Sequence, residues 1–143
     1  MTDLQTPILE IENLSISFFT RAREIPAVMD FSCTVMPGEA MGLVGESGCG
    51  KSTVALAVSV DPGKTGRITG GKIRFRGRDL TTMSERELRA IRGSQIAMIY
   101  QEPMASLNPA MRVGAQLAEV PILHEGLGKA EAWVRARQIV ADV

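Results

Sequence analysis

Cysteine is scarce in this chain, its charges cancel, and no apolar stretch is long. The two cysteines, Cys33 and Cys49, provide neither a disulfide framework nor the spacing of a metal site, which fits a reducing, cytosolic setting. Sixteen Lys+Arg face sixteen Asp+Glu, a formal net charge of zero. A nucleic-acid binder held by bulk charge would be basic, so nucleic acid is not an expected partner. The longest apolar runs, 40–44 and 54–58, fall far short of the roughly 18 residues of a membrane span. The N-terminal stretch carries Asp3 and Glu10 without a basic n-region or apolar core, so it does not read as a signal peptide. What the chain does have is size and apolar content. Its 143 residues are 45% hydrophobic and 22% charged, enough to build the core of one ordinary domain and to exclude disorder.

The first forty residues read as β structure. Ile8, Leu9 and Ile11 open a strand, and Leu14, Ile16 and Phe18 alternate with Ser15 and Ser17 at period two. Residues 20–26 read as a charged turn, after which Phe31, Cys33 and Val35 alternate until Pro37-Gly38 stops them. One wet face implies an antiparallel layer, placed at about 8–39. The texture changes at Ala40: residues 40–44 lack alternation and predict a strand buried on both faces, and residues 96–100 predict a second. Between them, Ser52–Val60 reads as a helix ended by Asp61-Pro62-Gly63, and Ile73 and Phe75 mark a strand. Ser84-Glu85-Arg86-Glu87 has capping-box spacing, with Leu88 and Ile91 on one face and Gly93 as a stop. From Val113 two helices are predicted, broken near 126–128, the second presenting Trp133, Val134, Ile139 and Val140 on one face. Nothing marks a finish at Val143, where that apolar stripe is still uncovered.

Gly45-Glu46-Ser47-Gly48-Cys49-Gly50-Lys51-Ser52 matches G-x-x-x-x-G-K-[ST] completely, with Thr53 following. By chance such a match arises on the order of once in a hundred chains of this length, or less. The chemistry demands these residues. Glycines let the backbone turn through positive φ, so that successive N–H groups converge on an anion. A helix beginning near Lys51 adds its positive end. Lys51 can bridge β- and γ-phosphates, and the Ser52 hydroxyl can ligate Mg²⁺. The competing reading is a glycine-rich turn with a solvent-seeking lysine. Cys49 sits in the cradle beside a lysine, a setting that raises thiol reactivity, although a thiol is not needed to bind phosphate and a small filler residue would serve.

After the second predicted buried strand comes the string from Tyr100 through Gln101-Glu102-Pro103-Met104-Ala105-Ser106-Leu107-Asn108 to Pro109. Together with the run from Gly42 to Gly48, Lys51-Ser52-Thr53 and Gly77 to Leu80, it resembles the ATP-binding cassette family, the motor subunits of ABC transporters. Within that family it is most similar to the dipeptide, oligopeptide and nickel importer group. The likeness runs from about Ile8 to Val120.

The fold this resemblance implies is α/β: the core of a P-loop nucleoside triphosphate hydrolase, incomplete, behind an N-terminal antiparallel β layer. The whole of 1–143 would form the N-terminal part of a nucleotide-binding domain. Its β layer would span about 8–39, its P-loop core about 40–110, and the start of a helical subdomain about 111–143. ATP and Mg²⁺ are the implied cofactors. Gln101 would be the Q-loop glutamine, reaching Mg²⁺ or the attacking water, and Glu102 to Arg112 would face the membrane-embedded partner. Phe18 is the candidate for the aromatic that stacks on adenine, with Phe19 its substitute; core packing competes for Phe18. The implied partners are integral-membrane permease subunits and a second ATP-binding subunit, on the inner face of the cell membrane.

Three parts of a complete cassette are missing from the sequence. No Asp is followed by Glu, no Leu-Ser-Gly-Gly-Gln occurs, and the sole histidine, His124, lies too early to be the family's switch histidine. A signature motif acts across a dimer and a partner could supply it. The Asp-Glu pair acts on its own chain's nucleotide, and its loss removes the carboxylate that orients water. The chain is therefore expected to grip MgATP and to hydrolyse it poorly if at all. Two readings remain open: an importer ATPase present in part, and a module that binds nucleotide or a partner without hydrolysis. A small phosphate-loop kinase is disfavoured by the long N-terminal sheet and by the string after Tyr100. The open sheet edge and apolar last helix predict poor solubility unless something packs there.

Overall fold

A computed structural model describes residues 6–102 and 107–142. They divide into two compact units, the boundary falling between Leu88 and Arg89.

The first unit is built on an antiparallel sheet in the order β2-β1-β3-β4, with β1 Leu9–Phe19, β2 Glu24–Val35, β3 Gly66–Phe75 and β4 Arg78–Asp79. β1 is central because both its edges are used: Ile11 lies opposite Cys33 on one side and Ile73 on the other. The period-two pattern holds as far as Ile16, since Ile11, Leu14, Ile16, Ile73 and Phe75 are buried, but beyond it Ser17 is buried and Phe18 only half-buried. The strand pattern starts earlier than expected in β2 and β3, so the turn shrinks to the 20–23 corner, held by Thr20 Oγ1 donating to the Arg23 carbonyl at 2.8 Å.

A bulge interrupts β1 at Asn13, whose φ is +47°. The Asn13 N–H donates to Ser32 Oγ at 2.8 Å, anchoring the bulge to β2. On the other side Gly71 (φ +83°) lies so close that a Cβ there would strike the carbonyl oxygens of Glu12 and Asn13. Of the single Gly-Gly pair, Gly70-Gly71, the second glycine is thus a packing requirement of the sheet. On the sheet surface Arg74 Nη1 joins Glu10 at 3.0 Å and Glu12 at 2.6 Å, which raises its guanidinium pKa.

Helix α1, Lys51–Val58, buries Val54 and Ala57, and Asp61-Pro62-Gly63 follows it as predicted. After β4, the Asp79 carboxylate accepts from the Thr81 N–H at 2.9 Å and caps a short 3-10 turn, Leu80–Thr82, that buries Leu80. Helix α2, Glu85–Ile91, has the predicted capping box: Ser84 N–H donates to Glu87 Oε2 at 2.9 Å and Glu87 N–H to Ser84 Oγ at 3.4 Å. Leu88 and Ile91 are its buried residues.

Beyond Arg89, helices α3 (Val113–His124) and α4 (Lys129–Ala141) pair across the predicted break at 126–128. Their contact is made by Ala118, Ala132 and Ala136, with Leu117, Leu127 and Trp133 packed around them. The Trp133 ring lies so near Gly114 that a Cβ there would be 2.6 Å from Cζ3. The apolar stripe expected on α4 is present and largely uncovered. Small residues let the two helices approach, and of the four expected side chains only Trp133 joins the contact. Val134, Ile139 and Val140 stay exposed, Val134 at 64%.

The two buried strands are corrected. Residues 40–44 and 96–100 belong to no strand apart from one bridge between Ile96 and Arg92, and Val44 and Ile99 are 95% and 99% exposed. An apolar run without alternation needs strands on both edges and layers on both faces. Among the described residues, that bridge apart, none pairs with either run. No helix among the described residues is long and apolar enough to cross a membrane.

Candidate functional site

The sequence 45–53 makes one bend from irregular backbone into α1. Gly48 (φ +83°) and Gly50 (φ +93°) supply left-handed conformations that side chains avoid. Gly50 has a second reason to lack a side chain: a Cβ there would lie 2.7 Å from the Ala27 carbonyl oxygen, so the bend is pressed against β2. Gly45 likewise leaves room for Cys49, whose Sγ would be 2.7 Å from an added Cβ. The Cys49 N–H donates to the Glu46 carbonyl at 3.3 Å and closes the loop.

Helix α1 starts at this bend with Gly50 as N-cap. No side chain caps it, and no acidic residue sits in its first turn. Its leading N–H groups and the positive end of its dipole are thus left to something other than this helix's own side chains. Lys51 Nζ folds back over the loop and donates to the Gly45 carbonyl at 2.8 Å and the Glu46 carbonyl at 2.6 Å, with Cys49 Sγ 3.4 Å away. Ser52 is exposed on the next residue. Beside the loop, a cleft of about 510 Å³ runs between Lys51, Val54, Leu43 and Val44 and the 27–32 stretch of β2.

Chemically this is an N–H-rich concavity with the Lys51 ammonium folded over it, and it suits a polyphosphate, although Glu46 belongs to the loop and Asp30 lines the cleft. It does not suit a bare metal ion. Among the described residues no group of three or more His, Cys, Asp or Glu could hold one. A magnesium ion would come with the phosphates, the Ser52 hydroxyl adding one oxygen, which is how Mg²⁺ is commonly held beside nucleotides.

The sites expected from the sequence are distributed as follows. Gly45, Glu46, Ser47, Gly48, Cys49, Gly50, Lys51, Ser52 and Thr53 share the one bend. Phe18 is half-buried near the hairpin end of β1, opposite Ile25 and Gly66, and does not line the cleft. Its neighbour Phe19 carries the Arg67 guanidinium 5.2 Å above its ring. Gln101 lies in the second unit, exposed, on the coil after Tyr100. Residues 103–106 of the string after Tyr100 lie outside the described residues.

Sequence reasoning did not single out Gln116. Its carbonyl oxygen Oε1 accepts from the Asn108 N–H at 2.9 Å, and its Nε2 donates to the carbonyls of Asn108 and Met111, each at 3.0 Å. The spacing of eight residues has no local pattern that could have betrayed it, although Asn108-Pro109 does signal the turn that it grips.

Comparison with known proteins identifies the family and the fold. The family model described as ABC transporter matches residues 28–143. The chain belongs to that family. It is 48% identical over 126 residues to the oligopeptide transport ATP-binding protein OppD of Salmonella typhimurium, covering 88% of this chain and 37% of that one. It is 41% identical over 136 residues to OppD of Bacillus subtilis (94% and 38%), and 39% identical over 137 residues to the dipeptide transport ATP-binding protein DppD of Lactococcus lactis (95% and 39%). The chain therefore spans about two fifths of the length of these relatives. Among solved structures, a dimeric ATP-binding cassette in a post-hydrolysis state with ADP and Pi superposes with a TM-score of 0.74 at 21% identity, over 91% of this chain and 54% of that one. The fold is that of an ATP-binding cassette: mixed α/β, with an antiparallel sheet and the glycine-rich bend at 45–53.

Proposed function

We propose that this chain binds MgATP at 45–53 and acts as the ATP-binding part of an importer for peptides or a related solute, nickel included. The observation that carries the reading is the bend itself. Left-handed glycines, an uncapped helix start and the Lys51 ammonium converge on one spot. There the backbone N–H groups would hold phosphate oxygens, and Lys51 would exchange its carbonyl partners for the β- and γ-phosphates. Mg²⁺, when bound, neutralises developing charge on the transferred phosphoryl group. Phe18 is assigned to the adenine ring and Gln101 to the metal or water. The importer role rests on the named relatives, which transport oligopeptides and dipeptides. In this role the chain sits on the inner face of the membrane against permease subunits and pairs with a second ATP-binding subunit.

Hydrolysis by these 143 residues is not part of the proposal. The sequence has no Asp-Glu pair to orient water, so the second reading, a module that binds nucleotide and does not turn it over, fits the isolated chain. Titration calorimetry with MgATP, run beside Lys51→Ala, tests binding; phosphate release by the same two samples separates the readings. Weaker binding by the variant, about 10- to 30-fold, with no turnover by the wild type above the variant, is the expected result. Equal affinities would overturn the assignment.

A further inference from the structure

Gln116 spends its whole side-chain amide on one turn. Its acceptor takes the Asn108 N–H, and its two donors go to the carbonyls of Asn108 and Met111. The turn also holds itself: Ala110 N–H donates to Asn108 Oδ1 at 3.0 Å and Met111 N–H to the Asn108 carbonyl at 3.1 Å. Leu107 through Arg112 are exposed, and an exposed peptide of this kind ordinarily samples several shapes. Here three side-chain hydrogen bonds fasten it to a residue in the first turns of α3.

We infer that Gln116 is a positioning residue, which makes the Leu107–Arg112 turn and helix α3 move as one body. This rests on the proposed function, with Gln101 at the metal or water, and on the expectation that residues 102–112 face the membrane-embedded partner. A displacement entering a loose turn would be dissipated there; one entering a turn clamped to a helix moves the helix.

The test uses the isotopically labelled 143-residue chain. In Gln116→Ala the amide of Asn108, whose N–H loses its acceptor, loses about tenfold or more of its hydrogen-exchange protection. MgATP affinity stays within twofold of wild type, while the MgATP-induced resonance shifts of residues 107–112 disappear. Gln116→Glu adds a readout that simple loss of structure would not give. A protonated carboxyl can both accept and donate, whereas the carboxylate only accepts and faces two carbonyl oxygens. Protection at Asn108 should therefore approach wild type as pH falls towards 4 to 5 and drop at pH 7.5. Unchanged sheet resonances show that each variant is folded. If the wild type binds MgATP but Gln116→Ala keeps both protection and shifts, or Gln116→Glu shows no pH profile, the inference fails and the nucleotide reading stands. If the wild type binds no MgATP, that reading fails first and this one falls with it.

Discussion

Replacing Lys51 by alanine removes an ammonium group that already has two acceptors, the Gly45 and Glu46 carbonyls at 2.8 and 2.6 Å. A charge-assisted phosphate contact contributes about 1.5–3 kcal/mol, which would weaken nucleotide binding roughly 10- to 150-fold. The geometry narrows that range. In the unliganded loop the ammonium is well solvated by its own backbone, so binding exchanges two good hydrogen bonds for better ones. The loss should lie near the lower bound, about 10- to 30-fold. Lys51→Met keeps most of the stem and removes the charge; equal losses in the two variants would assign the effect to the ammonium. Calorimetry or displacement of a fluorescent ATP analogue reads the affinity, with circular dichroism as a check on folding. Should both variants bind MgATP within twofold of wild type, Lys51 does not touch the ligand.

Three further outcomes can be measured. Gly50→Ala forces a side chain into φ +93° and to within 2.7 Å of the Ala27 carbonyl oxygen; it should lower unfolding stability in urea by at least about 1–2 kcal/mol, and an unshifted midpoint would show that the bend is not pressed on β2. Hydrogen bonds from the Ser84 hydroxyl and N–H hold the Glu87 carboxyl below its usual pKa, so its contribution is present above the unfolded value of about 4.3 and is lost as pH falls through the lower folded value. Ser84→Ala should flatten that part of the pH–stability profile, and a profile identical to wild type would remove the capping box from the account. Cys49 is exposed in the loop, whereas burial pushes the Cys33 thiol up; an alkylating agent should therefore take Cys49 first, block nucleotide binding, and be slowed by MgATP. Full modification with unchanged affinity would refute this.

The sheet and the glycine-rich bend were legible because each rests on neighbours in the chain. Leu14 and Ile16 alternate with Ser15 and Ser17, and the glycines of 45–50 declare positive φ without outside help. Ser84 and Glu87 announce the start of α2 in the same local way. What failed depends on partners. Residues 40–44 and 96–100 have the composition of central strands, yet a strand is defined by what pairs with it, and composition does not carry that. In α4 the uncovered apolar stripe was legible, but the contact with α3 through Ala132 and Ala136 was not, because helix contact distance rather than hydropathy decides which residues fit. Gln116 was invisible for a third reason. A glutamine in a helix has no distinguishing neighbour, and its acceptors lie on a turn well before it in the chain.

The way Lys51 is tethered has a thermodynamic corollary. A loop whose cation is already pinned to its own backbone is shaped before any anion arrives, so association should need little chain ordering. Its signature would be ion exchange rather than folding: a small heat-capacity change, and competition from sulfate or inorganic phosphate.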